Sequence, residues 1–165
     1  MVELETERLR LRLPREGDLE GLYELHADPL TVSIFRAGFN RVEIWRRIAM
    51  ALGHWQLRGY GPWSLEDKIS GAYVGSCSLW FPDGWQDVEV GYSIHPSFRG
   101  RGLAVEAARC ARDFGFNHHK FKRLVSYIQP SNVQSIRVAE KLSAKPDGEF
   151  MMGDIPHTVY LHQHN

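Results

Sequence analysis

Residues 8–13, RLRLRL, alternate without a break between charged and apolar. A strand with that period turns its leucines to one face and its arginines to the other, as a half-exposed outer strand does. After the PREGD loop, Asp18 stands where a helix cap belongs, and Leu19, Leu22, Tyr23 and Leu25 keep helical spacing up to the breaker ADP at 27–29. Val42, Trp45, Ile48, Ala49, Leu52 and Trp55 predict a second helix, which Gly59 to Pro62 end. The period then changes. WSLED, AYVGSCSLW and VEVGYSIH are β-branched or aromatic-rich runs separated by KISG and FPDGWQD, and they predict a meander of three antiparallel strands. Helical spacing returns with Leu103, Ala107, Ala111 and Phe114, and RLVSYIQP predicts the next strand. SNVQ gives Ser131 and Gln134 the spacing of a capping box ahead of a helix running to about Leu142, and HTVYLH predicts a last strand. The order of strand, two helices, three strands, helix, strand, helix, strand is that of an α+β fold with a mixed sheet.

Composition narrows the function classes. At 165 residues the chain is long enough for one full core, so a single domain over 1–165 is expected. Twenty Lys and Arg balance twenty Asp and Glu, which removes the electrostatic pull toward DNA, RNA or an anionic membrane. MVELETERLR lacks the apolar stretch of a signal peptide, and no apolar run approaches the roughly 20 residues of a membrane span. Cys77 and Cys110 make neither a disulfide framework nor a metal-binding spacing. A cytoplasmic location is expected, with no nucleic-acid, membrane or metal partner.

The stretch FRGRGLA, residues 98–104, carries more chemistry than a turn requires. It lies where a strand hands over to an amphipathic helix, so the unpaired N–H groups of the first helical turn point out of the loop. Glycines at 100 and 102 leave those amides open to a ligand and permit a positive φ. The helix dipole, Arg99 and Arg101 add positive charge. Such a loop suits a pyrophosphate, although it matches neither the P-loop nor the Rossmann fingerprint. A plain tight turn is the competing reading of the glycines.

R-G-R-G-L-A resembles the Arg/Gln-x-x-Gly-x-Gly/Ala signature of the GNAT superfamily of N-acetyltransferases. EVGYSIHPSFRGRGLAVEAA, PSNVQSIRVAEKL, TERLRLR and GYGPWSLE resemble its RimJ/RimL-like branch, so the likeness covers nearly the whole chain. The resemblance implies a mostly antiparallel sheet splayed between its fourth and fifth strands. It implies acetyl-coenzyme A as cosubstrate, with the pyrophosphate on the backbone of Arg99, Gly100, Arg101, Gly102, Leu103 and Ala104. Pantetheine would pair with the fourth strand near Ile94, and the glycine of VEVGY is consistent with a β-bulge opening the slot. A backbone N–H of that strand would face the thioester oxygen. Asn132 would hold the pantetheine arm, and Ser135 would hydrogen-bond the departing sulfur.

Transfer by direct attack needs a neutral amine, hence a base, and the branch often places a carboxylate where Glu89 stands. The competing reading makes Glu89 the exposed member of an alternating strand. Ala139 occupies the position where many members carry a tyrosine acid, and Ser143 and Ala144 replace a usual Gly-Phe. These departures favour the alternative of a non-catalytic acyl-coenzyme A binder or sensor, while Glu89, Asn132 and Ser135 favour an enzyme. His118, His119, His162 and His164 read as surface histidines, and Trp63, Trp80 and Trp85 as either acceptor pocket or core. The acceptor side is expected to be bordered by the first two helices, residues 33–40 and 150–158. There Phe35, Phe39, Met151 and Met152 mix with Arg36, Arg41, Asp154 and His157. That rim lacks the dense acidic lining a polycation would favour, which points to a peptide N-terminus or a small amino-acid-like amine. A homodimer is compatible with the resemblance.

Overall fold

A computed structural model describes residues 2–35 and 38–164, and for Phe35 its backbone only. Its strands are β1 (Leu4–Glu5), β2 (Leu9–Arg12), β3 (Pro62–Asp67), β4 (Tyr73–Trp80), β5 (Val88–Ile94), β6 (Leu124–Ile128), β7 (Lys145–Met152) and β8 (Ile155–Leu161). They form one eight-stranded sheet in the order β1-β2-β3-β4-β5-β6-β8-β7. Every neighbouring pair is antiparallel except β5 and β6, which run parallel. The helices are α1 (Leu19–Ala27), α2 (Pro29–Phe35), α3 (Arg41–Arg58), α4 (Leu103–Asn117) and α5 (Val133–Lys141).

Alternation along the central strands sorts the sheet into two faces. Cys77, Leu79, Val88 and Val90 are buried in one core with Leu103, Ala107, Ala108 and Ala111 of α4. The short side chains of the three alanines let that helix sit close on β4 and β5. Ser76, Ser78 and Trp80 of β4 pair across the opposite face with Ser93, Gly91 and Glu89 of β5. That polar ladder lies open to a cavity, whose wall also includes Leu22 and His26 of α1 and Arg47 and Ile48 of α3.

The edges of the fold depart from the sequence pattern in physically clear ways. Arg10 is exposed as the alternation predicts, but Arg12 is only 6% exposed. Its guanidinium donates to both carboxylate oxygens of Asp18, at 2.7 and 2.9 Å, and to Glu66 at 2.6 Å. Asp18 therefore does not cap α1. It accepts instead from Arg12, from the Ser64 hydroxyl at 2.6 Å and from the Arg15 amide at 3.0 Å. Burial alone would raise the Asp18 carboxyl, but those four donors hold it below the usual carboxylate range. Breaking one partner of such a buried pair costs about 3–5 kcal/mol, so this network locks β2 and β3 to the start of α1.

Asn132, not Ser131, caps α5, its Oδ1 accepting from the Ser135 amide at 3.1 Å. Strand β7, KPDGEFMM, escapes the sequence pattern because an edge strand tolerates Pro, Asp and Gly, and only Phe150 and Met152 at its end turn inward. The Gly-Phe departure leaves the turn intact. Ser143 takes the left-handed conformation, at φ 61°, that a glycine would take there, and Ala144 is buried.

Candidate active site

The sheet splits between β5 and β6. Only Val88↔Leu124 and Glu89↔Val125 are paired, after which the strands diverge. The last link across the fork is a side chain: the Ser126 hydroxyl donates to the Val90 carbonyl at 2.6 Å. The expected bulge at Gly91 is absent, since β4 and β5 keep one continuous register from Gly75↔Ile94 to Trp80↔Glu89. Divergence from β6, not distortion of β5, opens the slot. Gly91 has a different reason to be glycine. A Cβ there would sit 2.6 Å from the Ser78 Oγ and would project into the cavity beside Glu89.

Two cavities meet at this fork. The first, of about 410 Å³, runs from the 98–104 loop along α4 and α5 to Tyr92, Ser93 and Ile94. Gly100 and Gly102 both have positive φ, 76° and 78°, and a Cβ on Gly100 would meet nothing within 4 Å. The loop is therefore open to the outside rather than packed shut. Gly102 is the N-cap of α4 with no side chain to cap it, and the first amide to close back onto the helix is Glu106, onto the Gly102 carbonyl. The amides before it have no partner within the helix and are free to bind an anion.

An acidic residue in this turn would oppose such an anion, and the turn between β1 and β2 neutralises it. Arg8 forms an ion pair with Glu106, whose carboxylate also accepts from the Thr6 hydroxyl at 2.6 Å. Arg8 further donates to the Arg101 carbonyl at 2.9 Å, so the TERLR segment braces the loop. Arg99 is less available than its position promised. It pairs with Asp28 at 2.8 Å and donates to the Thr31 hydroxyl and the Ile94 carbonyl, tying α2 to the end of β5. The Arg101 guanidinium stays on the surface, donating to the Ser97 carbonyl at 3.0 Å.

The second cavity, of about 500 Å³, lies over the polar ladder and shares Tyr92, Ser93, Asn132 and Ser135 with the first. Glu89 lines it. One carboxylate oxygen accepts from the Trp85 indole N–H at 3.0 Å. Burial raises the Glu89 pKa to about 7, against a smaller downward pull from that hydrogen bond. A carboxyl poised there exchanges a proton near neutral pH.

Sequence reasoning had no means of finding Tyr92. Its hydroxyl donates to the Ser135 carbonyl at 3.0 Å, latching α5 to β5 across the slot. Burial pushes this phenol well above its ordinary pKa, so it stays protonated and the latch stays closed. The only sequence signal was its place next to the strand glycine.

The predicted acceptor rim is found in part. Met152 and His157 line the second cavity, as does Ile34 of α2. Arg41 instead pairs with Glu20 at 2.6 Å, and Met151 is 57% exposed on the alternate face of β7. Asp154 is not part of the wall, and Phe39 packs behind it, its ring under the Arg47 guanidinium and edge-on to His26. Arg36 and the Phe35 side chain lie outside the described residues. Trp80 and Trp85 border the cavity, whereas Trp63 is fully buried core that touches its edge.

Of the four histidines read as surface groups, His162 is buried at 3% exposure, hydrogen-bonded to the Ser126 hydroxyl at 2.9 Å. His118 and His119 stack on Phe114 and Phe121. Among the described residues, no group of three His, Cys, Asp or Glu is placed to hold a metal ion. No helix among them is long and apolar enough to cross a membrane.

The same layout recurs in known proteins. The chain is 32% identical to the uncharacterised protein YkkB of Bacillus subtilis, over 96% of this chain and 94% of that protein. The crystal structure of an acetyltransferase from Agrobacterium tumefaciens superposes with a TM-score of 0.90 at 26% identity, covering 99% of this chain and 95% of that one. The fold is shared, at 16% identity and a TM-score of 0.75, with RimL, a ribosomal L7/L12 α-N-protein acetyltransferase solved in complex with coenzyme A; that match covers 98% of this chain and 96% of RimL. The sequence profile of the acetyltransferase (GNAT) domain matches residues 8–145, from Arg8, which braces the loop, to the start of β7. With that match across most of its length, the chain belongs to the GNAT family of acetyltransferases and is an N-acetyltransferase.

Proposed function

We propose that this N-acetyltransferase moves the acetyl group of acetyl-coenzyme A to a primary amine on a peptide N-terminus or a small amino-acid-like molecule, by direct attack. The observation that carries the reading is the meeting of the two cavities at Tyr92, Ser93, Asn132 and Ser135, with Glu89 on the far side of the junction. The first cavity fits the cosubstrate, because open first-turn amides at the 98–104 loop suit a pyrophosphate and a slot between diverging strands suits an extended pantetheine arm. Coenzyme A in the complex of RimL supports the same assignment by fold.

The cosubstrate supplies an acyl thioester, and the chain's own groups do the rest. The amides of Gly100 to Ala104 hold the pyrophosphate, with Arg101 adding charge from outside. Asn132, whose carbonyl oxygen is spent on capping α5, retains its NH₂ group for the pantetheine arm. Glu89, as carboxylate, takes a proton from the incoming ammonium, or from the nitrogen of a neutral amine as it forms the bond to the carbonyl carbon. Ser135 donates a hydrogen bond to the sulfur as the carbon–sulfur bond breaks, the thiolate takes one proton by way of Ser135 or solvent to leave as the thiol, and Glu89 returns its proton to solvent.

An acceptor panel tests this assignment. Thiol release from acetyl-coenzyme A is compared for short peptides, free amino acids, polyamines and aminoglycosides under one condition. Turnover is expected with peptides or amino acids. Preference for polyamines or aminoglycosides would refute the reading of the acceptor side.

A further inference from the structure

The charged groups in the wall of the second cavity are not equally compensated. Asp18 is neutralised by Arg12, and Glu89 is hydrogen-bonded to Trp85. Arg47, which enters the same wall from α3, has no carboxylate at ion-pairing distance among the described residues. Glu43, one turn earlier, acts on it only at longer range, because its own carboxylate accepts from the Asn40 amide at 2.8 Å. The Arg47 guanidinium lies 4.0 Å from the centre of the Phe39 ring, and that contact supplies no counter-charge. Burial makes this cation less favourable than it is in water, and it drives down its own pKa despite Glu43. Its field also reaches the cavity wall at His26, whose pKa burial and Arg47 together lower to about 4. A partly desolvated cation facing a cavity calls for an anion from the ligand.

We infer that Arg47 is a carboxylate subsite, and that the acceptor is a free amino acid whose amine lies at Glu89 and whose carboxylate meets Arg47. This rests on the proposed acetyl transfer and narrows it. A polyamine would bring positive charge against Arg47. The amino end of a peptide would bring a neutral amide where the site offers a cation. Trp80, Trp85, Leu22 and Ile34 add apolar surface beside the serine ladder, which gives an apolar or aromatic side chain a place to pack.

The test compares L-phenylalanine, L-leucine and L-methionine with their carboxamides as acceptors, in the wild type, Arg47→Met and Arg47→Lys. Each carboxamide also imitates the first residue of a peptide. The wild type is expected to prefer the acid of at least one pair by roughly 10- to 100-fold in kcat/KM, the range of a charge-assisted hydrogen bond. Arg47→Met should bring that ratio toward one through KM rather than kcat, and Arg47→Lys should restore part of it. Amides used as well as acids by the wild type, or a ratio that survives Arg47→Met, would overturn the inference and leave acetyl transfer standing.

Silence of every pair would count against the proposed function instead, and binding then decides the subsite without turnover. Tryptophan fluorescence is titrated with N-acetyl-L-phenylalanine and its carboxamide. Tighter binding of the acid that Arg47→Met abolishes supports the subsite. Equal binding, or none, overturns it.

Discussion

Gly102→Val is expected to weaken acetyl-coenzyme A binding by roughly 10²-fold or more while the protein stays folded. The residue sits at φ 78°, and a Cβ there would stand 3.7 Å from the Arg8 guanidinium that braces the loop, so a branched side chain would disturb both the backbone that presents the first α4 amides and its brace. A non-glycine residue in that conformation costs about 1–2 kcal/mol, which a domain stable by about 5–15 kcal/mol can absorb. The loss of affinity is larger, because two charge-assisted hydrogen bonds to a pyrophosphate are worth about 3 kcal/mol or more together. Gly71→Val separates the two effects. Gly71 has nearly the same φ, 70°, in the β3–β4 turn and lines neither cavity, so its variant should lose stability but bind normally. Calorimetric titration and thermal melting of both variants give the answer, and wild-type affinity in a folded Gly102→Val protein would exclude the loop as the phosphate site.

Glu89→Gln is expected to lower turnover by roughly 10²- to 10⁴-fold with little change in cosubstrate affinity. With its pKa raised to about 7, Glu89 is a base only above that value, so wild-type kcat/KM should climb as pH rises through about 7. In the variant that rise should move to the acceptor's own amine pKa. Stability changes in the opposite direction. A carboxyl whose folded pKa lies above its unfolded value contributes stability fully below the unfolded pKa and loses it as pH rises through the folded one. Glu89→Gln should therefore melt no lower than the wild type at pH 8, which separates a catalytic loss from damage to the fold.

How much of this was legible in the sequence follows from how local each feature is. The open strand-to-helix geometry of the 98–104 loop could be read because it is written in two glycines and the helical spacing that follows them. The splay of β5 from β6 was expected from the family resemblance, but its cause was misassigned, since register is set by strand partners that the sequence of β5 does not show. RLRLRL hides the difference between Arg10 and Arg12, because both reach Glu66 across the sheet but only Arg12 also meets Asp18. The acceptor cavity was least legible. Leu22, Arg47, Trp80, Glu89 and Met152 come from five elements, and no spacing along the chain links them.

The account stands or falls on whether an amide bond forms at the acceptor nitrogen. The direct measurement incubates the wild type with acetyl-coenzyme A carrying a ¹³C-labelled acetyl group and with the best acceptor of the panel, and follows label and free thiol together by mass spectrometry and thiol titration. The account predicts labelled N-acetyl product and thiol in equal amounts, both suppressed in Glu89→Gln. Thiol released as labelled acetate without acetylated amine, or cosubstrate bound and left intact with every acceptor, would contradict it.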